Sequence, residues 1–420
     1  MATFPTEIIA EILSRLPVKS LLRIKCVCKS WSSLIKTPNF ILLQLNQTLI
    51  SNSDRHLLKS SADASFYSAE LDLPHNHLSF TKLNHPLQFD EVELFGCCNG
   101  VICISDYDKI DVFLHNPFTK SHRKLPMKRT PNPRKDVVLF GFGYDRNNDD
   151  YKVLRIHQGY SCRKCCYNET SLYSLNNHSW KTIQGLPNSY YLPYADSHGV
   201  LVGEGLYFVV SSDELDLQLR KRIARFDVRT ECFSLLDCPN HDDKCKTNWD
   251  YLEFHMRELG GELSVMVIYL TKLSSHMLLP YVDEDNVRNR VLERADLWVM
   301  KECGNKNSWV KLFAISELTS FSTSVTSIKP VVYSKDGRRV LIEIDCLELG
   351  WYDWESKKFE KLTPRGLPNT YYDTSYMLGS LVSLEYKVHP ETGTGALPRK
   401  NKKNNEDLDN FLSVGFKLRL

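Results

Sequence analysis

Residues Leu172–Ile183 read LYSLNNHSWKTI: an aromatic and apolar strand, a polar turn, then a second strand that opens on Trp. The same phrase occurs at Val112–Leu125 (VFLHNPFTKSHRKL) and Ala224–Leu236 (ARFDVRTECFSLL). It returns at Leu297–Phe313 (LWVMKECGNKNSWVKLF) and Gly350–Leu362 (GWYDWESKKFEKL). Successive starts lie roughly 50 to 75 residues apart, near the larger blade periods of propeller repeats. More strands fall between the copies. Gly100–Ser105 (GVICIS) precedes the first, and Phe140–Ile156 reads as a hairpin around Asn147–Asp150. Gly199–Val210 turns at Gly203-Glu204-Gly205, and Pro330–Ile344 turns at Asp336-Gly337, a strong hairpin signal. About four strands per repeat, five repeats and a closing segment predict a propeller of about six blades, whose radial closure leaves few exposed sheet edges. Residues 61–389 are assigned to this β-domain. Pro390–Asp409 is polar and basic and reads as a flexible loop, and 410–420 (Phe411–Leu420, FLSVGFKLRL, within it) alternates as a strand closing a blade.

Before residue 60 the period is helical. Ile8, Ile9, Ile12, Leu13 and Leu16 form one apolar stripe, with Pro5 in the first turn and Glu7 at the positive end of the helix. Leu16-Pro17 stops it. A second helix carries Leu21, Leu22 and Cys26 inward; a third carries Val27, Trp31, Leu34 and Ile35 and is closed by Thr37-Pro38. Asn39–Leu49 reads as one more helix leading onward, so that 1–45 is a three-helix unit and 46–60 a helical linker. A unit of that size is marginal alone. Each Ile, Leu or Trp left wet forgoes roughly 1.5–3 kcal/mol, so part of this surface calls for a partner, in trans or in the rest of the chain. Arg15, Lys19, Arg23, Lys25, Lys29 and Lys36 outnumber Glu7 and Glu11, which would steer in an acidic partner.

Across its 420 residues the chain is ordinary in composition, with 42% apolar and 25% charged residues and a net charge of +2. No global field argues for nucleic acid, and no apolar run is long enough for membrane insertion. Nothing near the N-terminus has the form of a signal peptide, and thirteen cysteines, often inside apolar runs, suit a reducing compartment. The expectation is cytoplasm and nucleus.

The stretch FPTEIIAEILSRLPVKSLLRIKCVCKSWSSLIKTPNF resembles an F-box over nearly its whole length, through Pro5, the Leu16-Pro17 break, Val18–Leu22 and the Val-Cys-Lys-Ser-Trp string at 27–31. The phrases FGCCNGVICIS, LHNPFTK, GFGYD…DDYKV, KPVVYSKDGRRVLIEI and WYDWESKKFEKL resemble the F-box-associated domain of land plants. The FLSVGFKLRL ending and the WVMKE…SWVKLF phrase bring the chain closest to the constitutive-expresser-of-PR-genes type. The resemblance implies docking onto a Skp1-like protein, and through it onto a cullin and a RING subunit. Matched position by position, Pro5, Ile8, Ile9, Leu16, Pro17, Leu21, Leu22, Val27 and Trp31 would form or support that surface. It also implies a protein target for ubiquitination, in that subfamily a plant immune receptor, and elsewhere in the architecture pollen self-incompatibility factors.

Cys162-x-x-Cys165-Cys166 with His157 and His178 offers only one of the two pairs a structural zinc commonly needs. Gly141-x-Gly143 and Gly203-x-Gly205 lack the third Gly and helix of a nucleotide loop. Asp149-Asp150 and Asp283-Glu284-Asp285 lie in polar loops rather than across a cleft. No nucleophile elbow, P-loop or HExxH motif is present, so neither cofactor nor metal is expected and the chain reads as non-catalytic. Trp180, Phe233, Trp309 and Phe359, at blade spacing, are expected between sheets. Tyr190, Tyr191, Tyr194, Trp249, Tyr251, Tyr371 and Tyr372 fall in stretches between repeats and are the candidate anchors for the target. The fold expected is α+β and multidomain: a three-helix F-box, then a kelch-like propeller of about six blades. Its function would be that of a target-presenting adaptor, with a non-degradative binding protein or a glycan- or lactone-processing propeller as rivals.

Overall fold

Prolines punctuate the start of the chain. Pro5 precedes α1 (Thr6–Ser14), Pro17 precedes α2 (Val18–Ile24), and Pro38 opens α4 (Pro38–Ser51), each supplying a fixed φ where no intrahelical N–H is needed. α3 (Lys29–Ile35) lies between the last two, and Thr37 caps α4 by accepting from the Phe40 N–H. The computed structural model describes residues 5–61, 65–72, 78–86, 92–106, 108–127, 136–161, 164–187, 189–192, 198–212, 221–239, 251–272, 290–316, 325–368 and 372–384.

The helical unit has four helices, not three. α4 is integral to it, because Phe40 is buried in one core with Leu13, Val18, Leu21 and Ile35. The segment 46–60 is helical only to Ser51. Asn52 and Asp54 then take left-handed φ of 44° and 52°, which short polar side chains tolerate, and β1 (Arg55–Ser61) begins inside the stretch expected to be linker.

Six four-stranded antiparallel sheets follow among the described residues. Blade 1 takes β1, β2 (Phe66–Glu70) and β3 (Thr81–Leu83) from the start of the domain. Blade 2 is β4 (Val92–Cys98), β5 (Val101–Asp106), β6 (Val112–His115) and β7 (His122–Lys124). Blade 3 is β8 (Val137–Asp145), β9 (Asp150–Ser161), β10 (Lys164–Ser174) and β11 (Ser179–Ile183). Blade 4 is β12 (Val200–Val202), β13 (Gly205–Ser211), β14 (Lys221–Asp227) and β15 (Phe233–Asp237). Blade 5 is β16 (Tyr251–Leu259), β17 (Glu262–Lys272), β18 (Arg290–Met300) and β19 (Trp309–Ile315). Blade 6 is β20 (Ile328–Tyr333), β21 (Arg339–Ile344), β22 (Glu348–Asp353) and β23 (Lys358–Lys361). β24 (Tyr372–Leu378) returns to pair with β1 along its whole length and supplies the inner strand of blade 1.

The phrase that recurs in the sequence is the third strand, turn and fourth strand of blades 2 to 6. Its turns are closed locally. Asn116, Asp227 and Asp353 each accept two downstream backbone N–H groups, and Ser174 accepts that of Asn177. The kelch-like detail goes beyond the observation, since four-stranded meanders around an axis establish a propeller and nothing narrower. The flexible loop at 390–409 and the closing strand at 410–420 lie outside the described residues; blade 1 has its four strands without them.

Six apolar clusters fill the six seams between neighbouring blades. Strand period 2 sends alternate residues to opposite seams: Leu57 packs toward blade 6 and Leu58 toward blade 2. Second strands are therefore buried on both faces, as in β5 and β13, where every residue is buried.

The inner strands run side by side in one direction. Lys329 and Asp373, near the starts of β20 and β24, are 3.2 Å apart; Gly260, past the end of β16, approaches the Tyr333 ring at the end of β20. The helices join at Arg55, which pairs with Leu378 at the finish of β24, so they sit at the end of the propeller where the inner strands finish. Turns at that end are tight: Asn99-Gly100 and Gly260-Gly261 both take positive φ at both positions. The strand ends at the opposite end are separated in sequence by longer intervals, 184–199, 238–250, 273–289, 316–327 and 362–371.

Candidate partner-binding sites

The helical unit sorts the residues that the sequence could only pool. Leu21 is fully buried under Leu13, Val18 and Ile35, so it belongs to the core and not to a docking surface. Ile9, Leu16, Leu22 and Trp31 are half-buried against that core. Pro5, Ile8, Pro17 and Val27 are exposed, Val27 by 66%. Ile12, 58% exposed, joins this wet apolar set, although the motif match does not include it. Lys19, Arg23 and Lys29 are exposed around it.

The second candidate is the propeller axis. A cavity of about 1600 Å3 runs between the inner strands. At the helix end Leu49 and Asn52 of the helical unit line it, and Asn52 accepts a hydrogen bond from the Tyr376 hydroxyl. At the far end its wall is charged. The Asp373 carboxylate lies 3.2 Å from Lys329 and 3.6 Å from Arg257, bringing blades 1, 5 and 6 together. Burial opposes charge on both members of the first pair. Burial is the largest single influence on each, but the surrounding charges together outweigh it: Lys329 and Arg257 bring the Asp373 pKa below its usual value, and Asp373 leads the groups that raise that of Lys329. His255, 3.4 Å from Glu253, is pushed down by burial and stays neutral at pH 7. On the other side of the mouth Glu93 lies 3.4 Å from Lys109 and 3.5 Å from His198, and these contacts keep it ionised against burial. Behind the wall, in the seam between blades 6 and 1, burial and the Asp373 charge raise Glu343 to about 7. No sequence signal marks this cluster, because its members come from three blades.

The aromatic candidates divide. Tyr190 is half-buried against the seam between blades 3 and 4, and Tyr191 pairs its backbone with Ser211; both are at the far end. Tyr372 is no exposed anchor. It is buried in the seam between blades 6 and 1, its hydroxyl donates to the Pro368 carbonyl, and the Lys59 ammonium lies 5.1 Å from its ring. Tyr251 opens β16. Tyr194, Trp249 and Tyr371 lie outside the described residues. Trp180, Phe233, Trp309 and Phe359 pack in seams between blades.

The other constellations dissolve into structure. His157 is held by Asp136 at 2.9 Å and by the Tyr167 hydroxyl, while His178 sits in a turn at the helix end, so the two histidines are not brought together. Cys162 lies outside the described residues, and among those described no group of three or more His, Cys, Asp or Glu is placed to hold a metal. Asp150 is buried at the start of β9, accepting from the Ser174 hydroxyl and the Asn176 N–H. Asp283-Glu284-Asp285 also lies outside. No helix among the described residues is long and apolar enough to cross a membrane.

Comparison with known proteins adds two family matches. The F-box domain matches residues 2–43, and the F-box associated beta propeller domain matches residues 45–381. F-box protein CPR1 of Arabidopsis thaliana is 31% identical over 444 aligned residues, covering 100% of both chains. F-box protein At4g22390 of the same plant is 29% identical, again over 100% of both. F-box/kelch-repeat protein At3g23880, also from Arabidopsis thaliana, is 30% identical over 81% of this chain and 85% of its own.

Proposed function

Because the chain belongs to the F-box proteins that carry an F-box-associated β-propeller, we propose that it is the substrate-recognition subunit of an SCF (Skp1–cullin–F-box) ubiquitin ligase. One observation carries the reading: the wet apolar set of the helices is at one end of the propeller, and the long connections and the charged mouth are at the other. An adaptor needs two partner surfaces that do not compete. Pro5, Ile8, Ile12, Pro17 and Val27 contact the Skp1-like protein, with Ile9, Leu16, Leu22 and Trp31 at their edge and Leu21 supporting them from beneath. The basic side chains around them favour an acidic partner. The far end takes the protein target, with Tyr190 and Tyr191 among its contacts. Holding the target near a charged conjugating enzyme raises its local concentration, so the adaptor needs no catalytic residue of its own.

The finer reading rests on the likeness to the constitutive-expresser-of-PR-genes type: a plant immune receptor as target, degradation after ubiquitination, and restraint of defence signalling; a place in cytoplasm and nucleus is proposed on composition and on the cysteines inside apolar runs. A self-incompatibility factor is the alternative target, and binding without degradation the alternative outcome. The test is calorimetric titration of a plant Skp1-like protein into the full chain and into an Ile8→Glu/Val27→Glu variant. Loss of two buried apolar contacts of roughly 1.5–3 kcal/mol each predicts at least about a hundredfold weaker binding with an unchanged melting temperature. No heat of binding from well-folded wild type would sink the reading.

A further inference from the structure

The helical core is not completed by the helices. After β24 the chain runs as a strap, 379–384, between the helices and blade 2. Leu381, 3% exposed, packs into the cluster of Leu13, Val18, Leu21, Ile35 and Phe40. Leu384, 2% exposed, packs into the seam between blades 2 and 3. One short segment is thus embedded in both units.

Its backbone is gripped from blade 2. The Asn116 Nδ2 donates to the Ser380 carbonyl at 3.0 Å and to the Val382 carbonyl at 2.8 Å. Arg123 donates to the Leu384 carbonyl at 3.0 Å, and the Leu384 N–H donates to Ser121 Oγ at 3.2 Å. Gly100 allows the close approach: a Cβ there would stand 2.3 Å from that of Ser380. A second tie lies alongside. Asp54 Oδ2 accepts the first N–H of α2, from Val18, at 2.8 Å, and its Oδ1 is 3.0 Å from Nε2 of the fully buried His56. The His56 ring rests 4.8 Å from that of Phe118, which also packs on the helical core. Units joined by a plain linker move relative to one another by default; here buried apolar and hydrogen-bonded contacts oppose that.

We propose that the strap is a positioning element: it fixes the angle between the F-box and the propeller, and so decides which lysines ubiquitin can reach. The role in ubiquitin transfer rests on the ligase reading above; the rigidity does not. Asn116→Asp loosens the strap and leaves the turn in place. It keeps the oxygen that accepts from Phe118 and Thr119, so the turn survives, but it replaces the donor to both strap carbonyls with an acceptor. Leu381→Asp removes the apolar insertion, and Leu381→Met refills it.

Three readouts on the full chain test the proposal. The first is the distance distribution between spin labels at exposed Lys19 and Lys357, attached by non-cysteine chemistry because the chain has 13 cysteines. The second is affinity for a plant Skp1-like protein. The third is the set of the chain's own lysines modified in a reconstituted ligase. Wild type gives one narrow distance peak and a restricted lysine set. Asn116→Asp broadens the peak and shifts the lysine set with Skp1 affinity unchanged. Leu381→Asp broadens it further, and Leu381→Met restores it. A broad wild-type peak, or a peak and lysine set indifferent to both disruptive variants, overturns the proposal. Narrow peaks without Skp1 binding overturn the ligase reading, and with it the role in ubiquitin transfer, while the strap still holds the helices.

Discussion

The two ends of the propeller solve different problems with the same strands. At the helix end, turns are tight, several glycines and asparagines take left-handed φ, and the strap and α4 close over the blades. At the far end the strands are joined by longer stretches of chain, and the inner wall carries Asp373, Lys329, Arg257, His255 and Glu253 around an open mouth. On the proposed function, the contrast separates attachment at the helix end from target selection at the far end.

The sharpest way to break that contrast is at the helical core. Leu21→Ala removes a fully buried side chain and is expected to cost about 2–5 kcal/mol, read as early melting of the helices by circular dichroism. Ile12→Ala, on the preceding helix but wet, should stay within about 0.5 kcal/mol. Equal costs would mean the sorting of core from surface is wrong.

Glu343→Gln probes the far end through pH. Its folded pKa of about 7 lies above the ordinary carboxyl value, so the folded state holds a proton that the unfolded chain has lost between those two values. Stability from this group is complete at low pH, falls as pH rises toward 7 and levels off above it. The glutamine variant removes that slope and should be more stable than wild type at pH 8 by on the order of 2 kcal/mol in denaturant titrations. Parallel pH profiles for the two proteins would contradict the assignment.

Gly100→Ala tests the closeness of the helix end, since a Cβ there meets Ser380 at φ +73°. A loss of about 1–3 kcal/mol is expected in chemical denaturation; no loss would mean the strap does not press on blade 2. The smallest effect is at Arg15, whose pair with Glu11 is more than half exposed on both sides. Arg15→Ala should change stability by less than about 0.5 kcal/mol, and a larger fall would give the surface charges of α1 a structural part they lack here.

How much of this could be read from residues alone follows from range. The phrase around Leu172–Ile183 was legible because its strands are neighbours and its turn is closed by its own Asn, Asp or Ser side chains. Blade 1 was not, because β24 and β1 come from opposite ends of the chain. Ile12 and Leu13 belong to the same apolar stripe of α1, so periodicity cannot tell them apart; the difference arises from α4 and from Leu381, which no local pattern announces. Tyr372 looked like a loop residue beside Tyr371, yet the strand that closes the ring begins there. The mouth cluster is the extreme case, built by blade closure from residues that are unremarkable one at a time.

The most direct test of two separate ends is hydrogen exchange on the full chain with and without a saturating plant Skp1-like protein. The account predicts slowed exchange confined to α1, α2 and α3, with β12, β16, β20 and β24 unchanged. Slowed exchange at the starts of those inner strands, with the helices unaffected, would put the Skp1-like protein on the far end and contradict it.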